Sequence, residues 1–494
     1  MPITLKNTAR NHVLTIVMSE PSTSSGRHDA SPEATLSVIA RHDGTLLIDL
    51  DETLYLQNST EDFIDCARPG LVALLILRLI DVVKPWRWTG GEQTRDVWRV
   101  RLISLLFPWI WLRWREQVSS LAEHHTNRPL AQALRASNQP LVIVTAGFTP
   151  IVTPLLAALG FADCRCIAMR HTTFSDRRAG KLLLTEQALG TEIIANALLV
   201  TDSKDDLPLL DRCRQGARTI WPDARYRRAL SRVYLPGQYL TLIKRPGERY
   251  IVRGIIQEDF AFWVIASLGL ASFWPTHLLG LTLLLISFWA IYERGYVDND
   301  WVAQHHEKNP KLSKAYGVVE VATPRFTPWV WAASCGTAAI LLLRWPAPPK
   351  PQDFAIWAAL LIATHWIFRA YNRLDKNTRV WIFPALQFAR TGAFALLVPV
   401  GLTATLGLAA HLIARWIPYY GYRLNSKNWP DGQFFLSRLL IYLLLNLIFA
   451  LTQGLAMLLT WTALAMLSWN VVRARKDLRS LISEARRIDR SAAP

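Results

Sequence analysis

The sequence predicts two parts of different class: an α/β domain built on a parallel sheet with a helical cap, then an all-α polytopic membrane domain of about eight transmembrane helices. Three observations predict this. A short apolar run, Thr45-Leu46-Leu47-Ile48, reads as a buried strand and ends in two carboxylates, Asp49 and Asp51. Two more apolar strands, 141–147 and 197–201, also end in polar residues. Beyond residue 260, long apolar runs succeed one another to 471, and 494 residues are too many for one α/β domain of this kind.

The carboxylates come first. Asp49 and Asp51 stand two apart at a strand end, so both point toward the mouth of a sheet. One can attack a phosphorus and the other can shuttle a proton. The plainer reading is a strand that runs into an acidic turn, and context separates the two. That context follows in order. Leu141–Gly147 ends in the hydroxyl of Thr145, Gly180-Lys181 opens an amphipathic stretch, and Ala197–Thr201 runs into Asp202, Asp205 and Asp206.

Over roughly residues 40–240, these segments resemble the haloacid dehalogenase (HAD) superfamily of phosphatases. The resemblance implies a Rossmann-like sheet and a role for each residue. Asp49 matches the nucleophile, Asp51 the general acid/base, Thr145 the phosphate-binding hydroxyl and Lys181 the cation on the phosphoryl oxygens. Asp202 matches the Mg²⁺ ligand and Asp206 its support, so Asp49, Asp51, Asp202 and Asp206 form the expected metal site. A hard cation and one Lys would offset the repulsion between carboxylates and phosphate. Glu52 stands where many members have Gly, and Lys204, inside the acidic motif, reads as a surface residue.

The expected boundaries are a disordered segment 1–40, a phosphatase domain 41–245 with its cap at about 55–140, a membrane domain 250–475 and a basic tail 476–494. The first 40 residues are polar, and no apolar core of signal-peptide length stands there; Met18 is an alternative start. The cap runs 71–83 and 100–114 are apolar, with Trp86, Trp88, Trp98, Trp109, Trp111 and Trp114, and Arg99, Arg101, Arg113 and Arg115 interleave with them. Two readings stay open: a helical cap packed on its own sheet, or a cap lying on a membrane with Arg at the headgroups.

The membrane half has apolar runs at 260–274, 276–292, 327–344, 353–370, 381–414, 433–451 and 453–471, several near the ~20 residues that cross a bilayer. Trp and Tyr cluster near their ends. The 34-residue run 381–414 reads as a hairpin of two helices around Gly392, Pro399 and Gly401. With that hairpin there are eight spans, and the basic loops 293–326, 369–379 and 415–427 and the tail share one face. The positive-inside rule makes that face cytoplasmic, together with both termini and the phosphatase. The protein is therefore expected as a multi-pass protein of a bacterial inner membrane. Its net charge of +17 suits a lipid bilayer and phosphorylated substrates; nucleic acid is not expected, because the basic residues form no single stripe. The five cysteines show only a lone Cys164-x-Cys166, and a reduced compartment is expected.

After the second run come Asn299 and Asp300, then Glu307, which an offset of about seven would return to one helix face. Tyr371, Lys376 and Arg379 follow the fourth span, with Pro384 and Gln387 beyond them. Over 250–471 these stretches are similar to the UbiA prenyltransferase superfamily. The resemblance implies that Asn299, Asp300 and Glu307 hold Mg²⁺ against a diphosphate, and that Tyr371, Lys376 and Arg379 bind that substrate. Ala303 replaces the family's middle Asp, and 415–432 offers only Asp431 for the second acidic motif. His305 and His306 read as helix-end or loop residues. Each basic loop also fits a solvated membrane flank.

Together the two resemblances imply a bifunctional membrane enzyme. An Mg²⁺-dependent aspartyl-phosphate phosphatase would be coupled to transfer onto a polyprenyl or isoprenoid phosphate lipid from a phosphorylated soluble substrate, making a lipid-linked pentose from a phosphoribosyl donor. A prenyltransferase using an isoprenoid diphosphate is the first alternative, and a membrane-anchored phosphatase or a transporter is the second. A transporter should carry ionisable residues at mid-span, where only Arg390 and His411 stand, both placeable near span ends.

Overall fold

The computed structural model describes residues 28–375, 377–425 and 433–484, with only the backbone of Leu424 and Asn425. Lys376 and Asp431 lie outside the described residues. The chain divides into two compact units between Val233 and Tyr234.

In the first unit, five parallel strands form one sheet: β1 (Leu46–Ile48), β2 (Leu141–Phe148), β3 (Arg165–Met169), β4 (Leu198–Thr201) and β5 (Gln215–Arg218), in the order β3-β2-β1-β4-β5. β1 is central; Leu46 pairs with Leu141 on one side and with Leu198 on the other. All three β1 residues are buried. A strand covered on both faces needs such an unbroken apolar run, which is why the sequence does not alternate there. The residue after β1, Asp49, therefore emerges at the carboxyl edge between the ends of β2 and β4, where parallel sheets open to ligands.

Helices cover both faces. α1 (Pro32–Arg41) starts at Ser31, whose side chain accepts from the Ala34 amide at 3.2 Å. Ser before Pro is a strong start signal, and it corrects the expectation of disorder up to residue 40. Between β1 and β2 lies a helical insertion: α2 (Ser59–Asp65), α3 (Gly70–Val83), α4 (Arg95–Leu106), α5 (Ile110–His125) and α6 (Arg128–Ala136). The apolar run 100–114 breaks at Phe107-Pro108, since proline lacks the amide a helix interior needs. The remaining helices are α7 (Thr149–Ala158), α8 (Ser175–Leu189), α9 (Thr191–Ala195) and α10 (Leu207–Leu210). Buried Glu61 of α2 takes two bonds from Arg99 at 2.6 and 2.8 Å, one from the Tyr226 hydroxyl and one from the Ala229 amide. The segment after β5 thus straps α2 and α4 together. The five cysteines are free.

The second unit is helical throughout its described residues. A π-helical stretch, Ile251–Phe260, leads into α11 (Ala261–Ser267). Then come α12 (Trp274–His306), α13 (Thr327–Arg344), α14 (Pro351–Arg373), α15 (Arg379–Gly392), α16 (Leu402–Asn425), α17 (Phe434–Gln453) and α18 (Trp461–Glu484). Run 381–414 does break into two helices, α15 and α16. By length and composition, three helices among the described residues can cross a membrane: α12, α14 and α17. That is fewer than the eight expected. α11 and α15 are too short, and the second half of α18 is charged.

Ionisable groups are also less scarce in this unit than the apolar runs suggest. Glu258 accepts from Arg438 at 2.5 Å and pairs with Arg473, while Asp259 accepts from Arg390 at 2.6 Å. Arg390 also donates to the Tyr250 hydroxyl and the Gly254 carbonyl. His411 sits beside Arg415 and Arg438. Glu258, Asp259, Arg390, His411 and Arg438 are all buried. The acids come from the π-helical stretch, which sequence periodicity does not flag.

Candidate active site

The mouth of the sheet collects the residues from separate elements. Lys181 bridges Asp49 and Asp206, its Nζ standing 2.8 Å from an oxygen of each. Its place is set by Gly180, which takes φ 79° and ψ 170° inside α8, so the helix restarts at Lys181 and turns its side chain inward. The Thr201 hydroxyl lies 3.1 Å from Asp49 Oδ2 and 2.6 Å from Asp206 Oδ2. Thr53 donates to Asp202 at 3.2 Å. Asp51 Oδ1 accepts the Ser59 amide at 2.7 Å, at the start of α2. Thr145 lies in β2, where pairing with β3 shifts register, and its Oγ1 accepts from the Gly147 amide at 2.9 Å. A Cβ on Gly147 would stand 3.2 Å from Thr145 Oγ1 and 3.3 Å from Ser59 Oγ, so glycine keeps the mouth open between them. Lys204 is exposed.

Charge is unbalanced there. Burial pushes the Asp49 carboxyl well above its ordinary range; Lys181 opposes this, while Asp206 and Asp202 add to it. Burial raises Asp51 to about 6, against the Ser59 amide hydrogen bond that lowers it. Burial, then the charges of Asp202 and Asp51, raise Glu52 to about 7. Asp202 is raised as well, chiefly by burial. A group with such a pKa can hold a proton or a cation near neutral pH.

Three hydroxyls escape sequence reasoning. Thr201 precedes Asp202 and Thr53 follows Asp51 by two, so proximity to the motifs was their only signal. Ser59 lies eight residues beyond Asp51, where no motif residue marks it, and its buried Oγ has no partner among the described residues. Glu52 takes φ 57°, the left-handed conformation that glycine adopts more readily than other residues.

Residues 46–211 match the family model of haloacid dehalogenase-like hydrolases. This segment is a HAD-like hydrolase domain. No curated protein and no solved structure matches the chain. Hydrolases of this family typically use Mg²⁺. The donor set of the HAD-like domain fits such an ion: hard carboxylate oxygens in excess over one lysine, with Asp49, Asp51 and Asp202 raised by desolvation. Among the described residues, no three His, Cys, Asp or Glu side chains form a metal cluster. Mg²⁺ does not require one, since it keeps waters and takes one or two carboxylates plus substrate phosphate. Lys181 and Thr201 engage both Asp49 and Asp206, Thr53 engages Asp202, and the Ser59 amide engages Asp51.

α12 runs on to His306, and Glu307 is its C-cap, its amide still bonded to the Ala303 carbonyl. Asp300 is buried against Lys244 at 2.5 Å and the Tyr239 hydroxyl at 2.9 Å. Asn299 donates to Asn372 at 2.8 Å. Glu307 pairs instead with Arg379 at 2.9 Å. Arg379 also donates to the carbonyls of Tyr371 and Leu374, which caps the end of α14. The Tyr371 hydroxyl bonds to that of Tyr419 at 2.7 Å. Lys244 and Arg379 thus neutralise Asp300 and Glu307. The structure holds a cleft of about 1420 Å³, lined by Arg294, Lys308, Arg325, Arg369, Arg373 and Arg379 with Asp298, Glu307 and Asp375. Lys308, Arg325, Arg369 and Arg373 make no ion pair with a described residue.

Proposed function

We propose that the chain is a membrane-bound, Mg²⁺-dependent phosphohydrolase that works through an aspartyl-phosphate. Asp49 attacks phosphorus; an Asp49–phosphorus bond forms as the bond to the leaving oxygen breaks. Asp51 gives that oxygen its proton, and its raised pKa keeps the proton available. Water then attacks the phosphoryl-aspartate while Asp51 takes its proton back. Lys181, Thr145 and the free Ser59 hydroxyl hold the phosphoryl oxygens. Mg²⁺, held by Asp49 and Asp202, would neutralise charge on the phosphate. The bridging of Asp49 and Asp206 by Lys181 carries this reading, because it presets a cation at the nucleophile. p-Nitrophenyl phosphate hydrolysis by the purified full chain should stop with EDTA and return with Mg²⁺. Lys181→Met should lower kcat/KM by about 10²–10³-fold. Turnover indifferent to both changes would sink the proposal.

A second reading concerns the helical unit, and the basic cleft favours it. Four cations that make no ion pair among the described residues line this cleft and suit a phosphate or diphosphate group. On this reading the unit transfers a group, a phosphoribosyl group among the candidates, from a soluble diphosphate donor onto a polyprenyl phosphate, the donor's bond to diphosphate breaking as diphosphate leaves, and the hydrolase domain removes a phosphate from the product. Mass spectrometry of membrane lipids tests it: Asp49→Ala should accumulate a lipid with one phosphate more than the wild-type product. A lipid profile identical to that of membranes without the protein leaves an anchored phosphatase as the function.

A further inference from the structure

The cap carries more apolar surface than its own domain covers. In α3, Ala73, Leu74, Leu77 and Ile80 are buried against the domain. Leu71, Leu75, Leu79 and Val82 form a second stripe at helical spacing on the outside. A domain helix needs one apolar stripe, and this one has two. The exposure is not marginal: Leu79 is 63% exposed, Val82 78% and Trp88, just beyond the helix, 77%. Leu105, Trp109 and Leu112 at the turn from α4 to α5 are exposed as well. Trp109 Nε1 donates to the Arg68 carbonyl at 2.9 Å, which sets that turn beside the start of α3. Folded monomers seldom leave so continuous an apolar face in water.

Charge identifies what covers it. Arg68 lies before the stripe, and Lys84 and Arg87 lie after it. The one acid of α3, Asp81, turns to Arg95 at 2.6 Å and Arg228 at 2.9 Å. An apolar stripe with tryptophans beside it and cations at both ends has the composition of a face lying in a lipid headgroup layer. A second copy across a two-fold axis would set these cations against one another. We propose that the outer face of α3 and the α4–α5 turn rest on an anionic lipid surface, so that the hydrolase domain takes phosphate esters presented at the membrane. The lipid contact stands on the exposed face alone; the choice of substrate rests on the phosphohydrolase reading.

The full chain in nanodiscs of phosphatidylglycerol and phosphatidylcholine tests it. A nitrobenzoxadiazole label on Leu75→Cys should show blue-shifted emission that doxyl-labelled lipid quenches, measured over the background of protein without the added cysteine. A label on Glu123→Cys, exposed elsewhere on α5, should show neither. Adding Leu79→Asp and Val82→Asp should abolish the quenching at position 75 while p-nitrophenyl phosphate turnover persists. Water-like emission at position 75 overturns the proposal. So does a blue shift that doxyl lipid leaves unquenched, which would mean a second copy covers the face. A wild-type protein with no p-nitrophenyl phosphate turnover would count against the phosphohydrolase reading and leave the labelling result intact.

Discussion

Asp49→Asn should abolish phosphate-ester hydrolysis by the full chain, a loss on the order of 10⁴-fold or more, as expected when a covalent nucleophile is removed. The amide keeps the shape of the side chain but has no anionic oxygen to form a bond to phosphorus. Stability should move the other way. Burial holds the Asp49 carboxyl above its ordinary pKa, so its ionised form is disfavoured in the folded state. A group with a raised folded-state pKa of this sign loses stability as pH rises through the carboxylate range. A neutral replacement removes that cost, while Lys181 retains Asp206 at 2.8 Å. The melting temperature at pH 7–8 should therefore hold or rise. Hydrolysis that survives in Asp49→Asn would move the nucleophile elsewhere. A protein that unfolds instead would make Asp49 a structural partner of Lys181.

Glu258→Ala should have the largest effect on stability. Glu258 is buried and serves two arginines, Arg438 at 2.5 Å and Arg473. Removing one member of a buried ion pair leaves the other charge without compensation, which costs about 3–5 kcal/mol. The loss should appear as a large fall in the thermal midpoint of the detergent-solubilised chain. Replacing Glu258 and Arg438 together by Gln and Met should recover part of it, since paired removal avoids the stranded charge. A single Glu258→Ala variant as stable as wild type would mean that water or lipid phosphate already solvates Arg438.

The hydrolase half was legible because its chemistry sits at strand ends. Buried parallel strands need unbroken apolar runs, so β1, β2 and β4 stand out along the chain, and each is followed by the polar residues it delivers to the mouth. Lys181 was legible as a residue and a position, though its bridge between Asp49 and Asp206 was not. Thr53, Ser59 and Thr201 were missed because a hydroxyl has no pattern of its own; only the fold decides which hydroxyl faces a carboxylate.

The helical half was legible as a class and not as a site. Apolar runs marked its helices and the break between α15 and α16. They overcounted helices able to span a membrane, since hydropathy in a window cannot tell where a helix will stop. Spacing suggested that Asn299, Asp300 and Glu307 share one face, but it did not show that Lys244 pairs with Asp300 and Arg379 with Glu307. By itself, then, the sequence determined the strand order of motifs, the residue types of the hydrolase mouth and the helical nature of the second half. All of these follow from local periodicity and short-range spacing. The tertiary structure alone decided which carboxylates share Lys181, which acids of the helical unit are neutralised by lysine or arginine, and which of two apolar stripes on α3 is left uncovered. Those outcomes depend on partners that come from distant parts of the chain, brought together only when the elements pack.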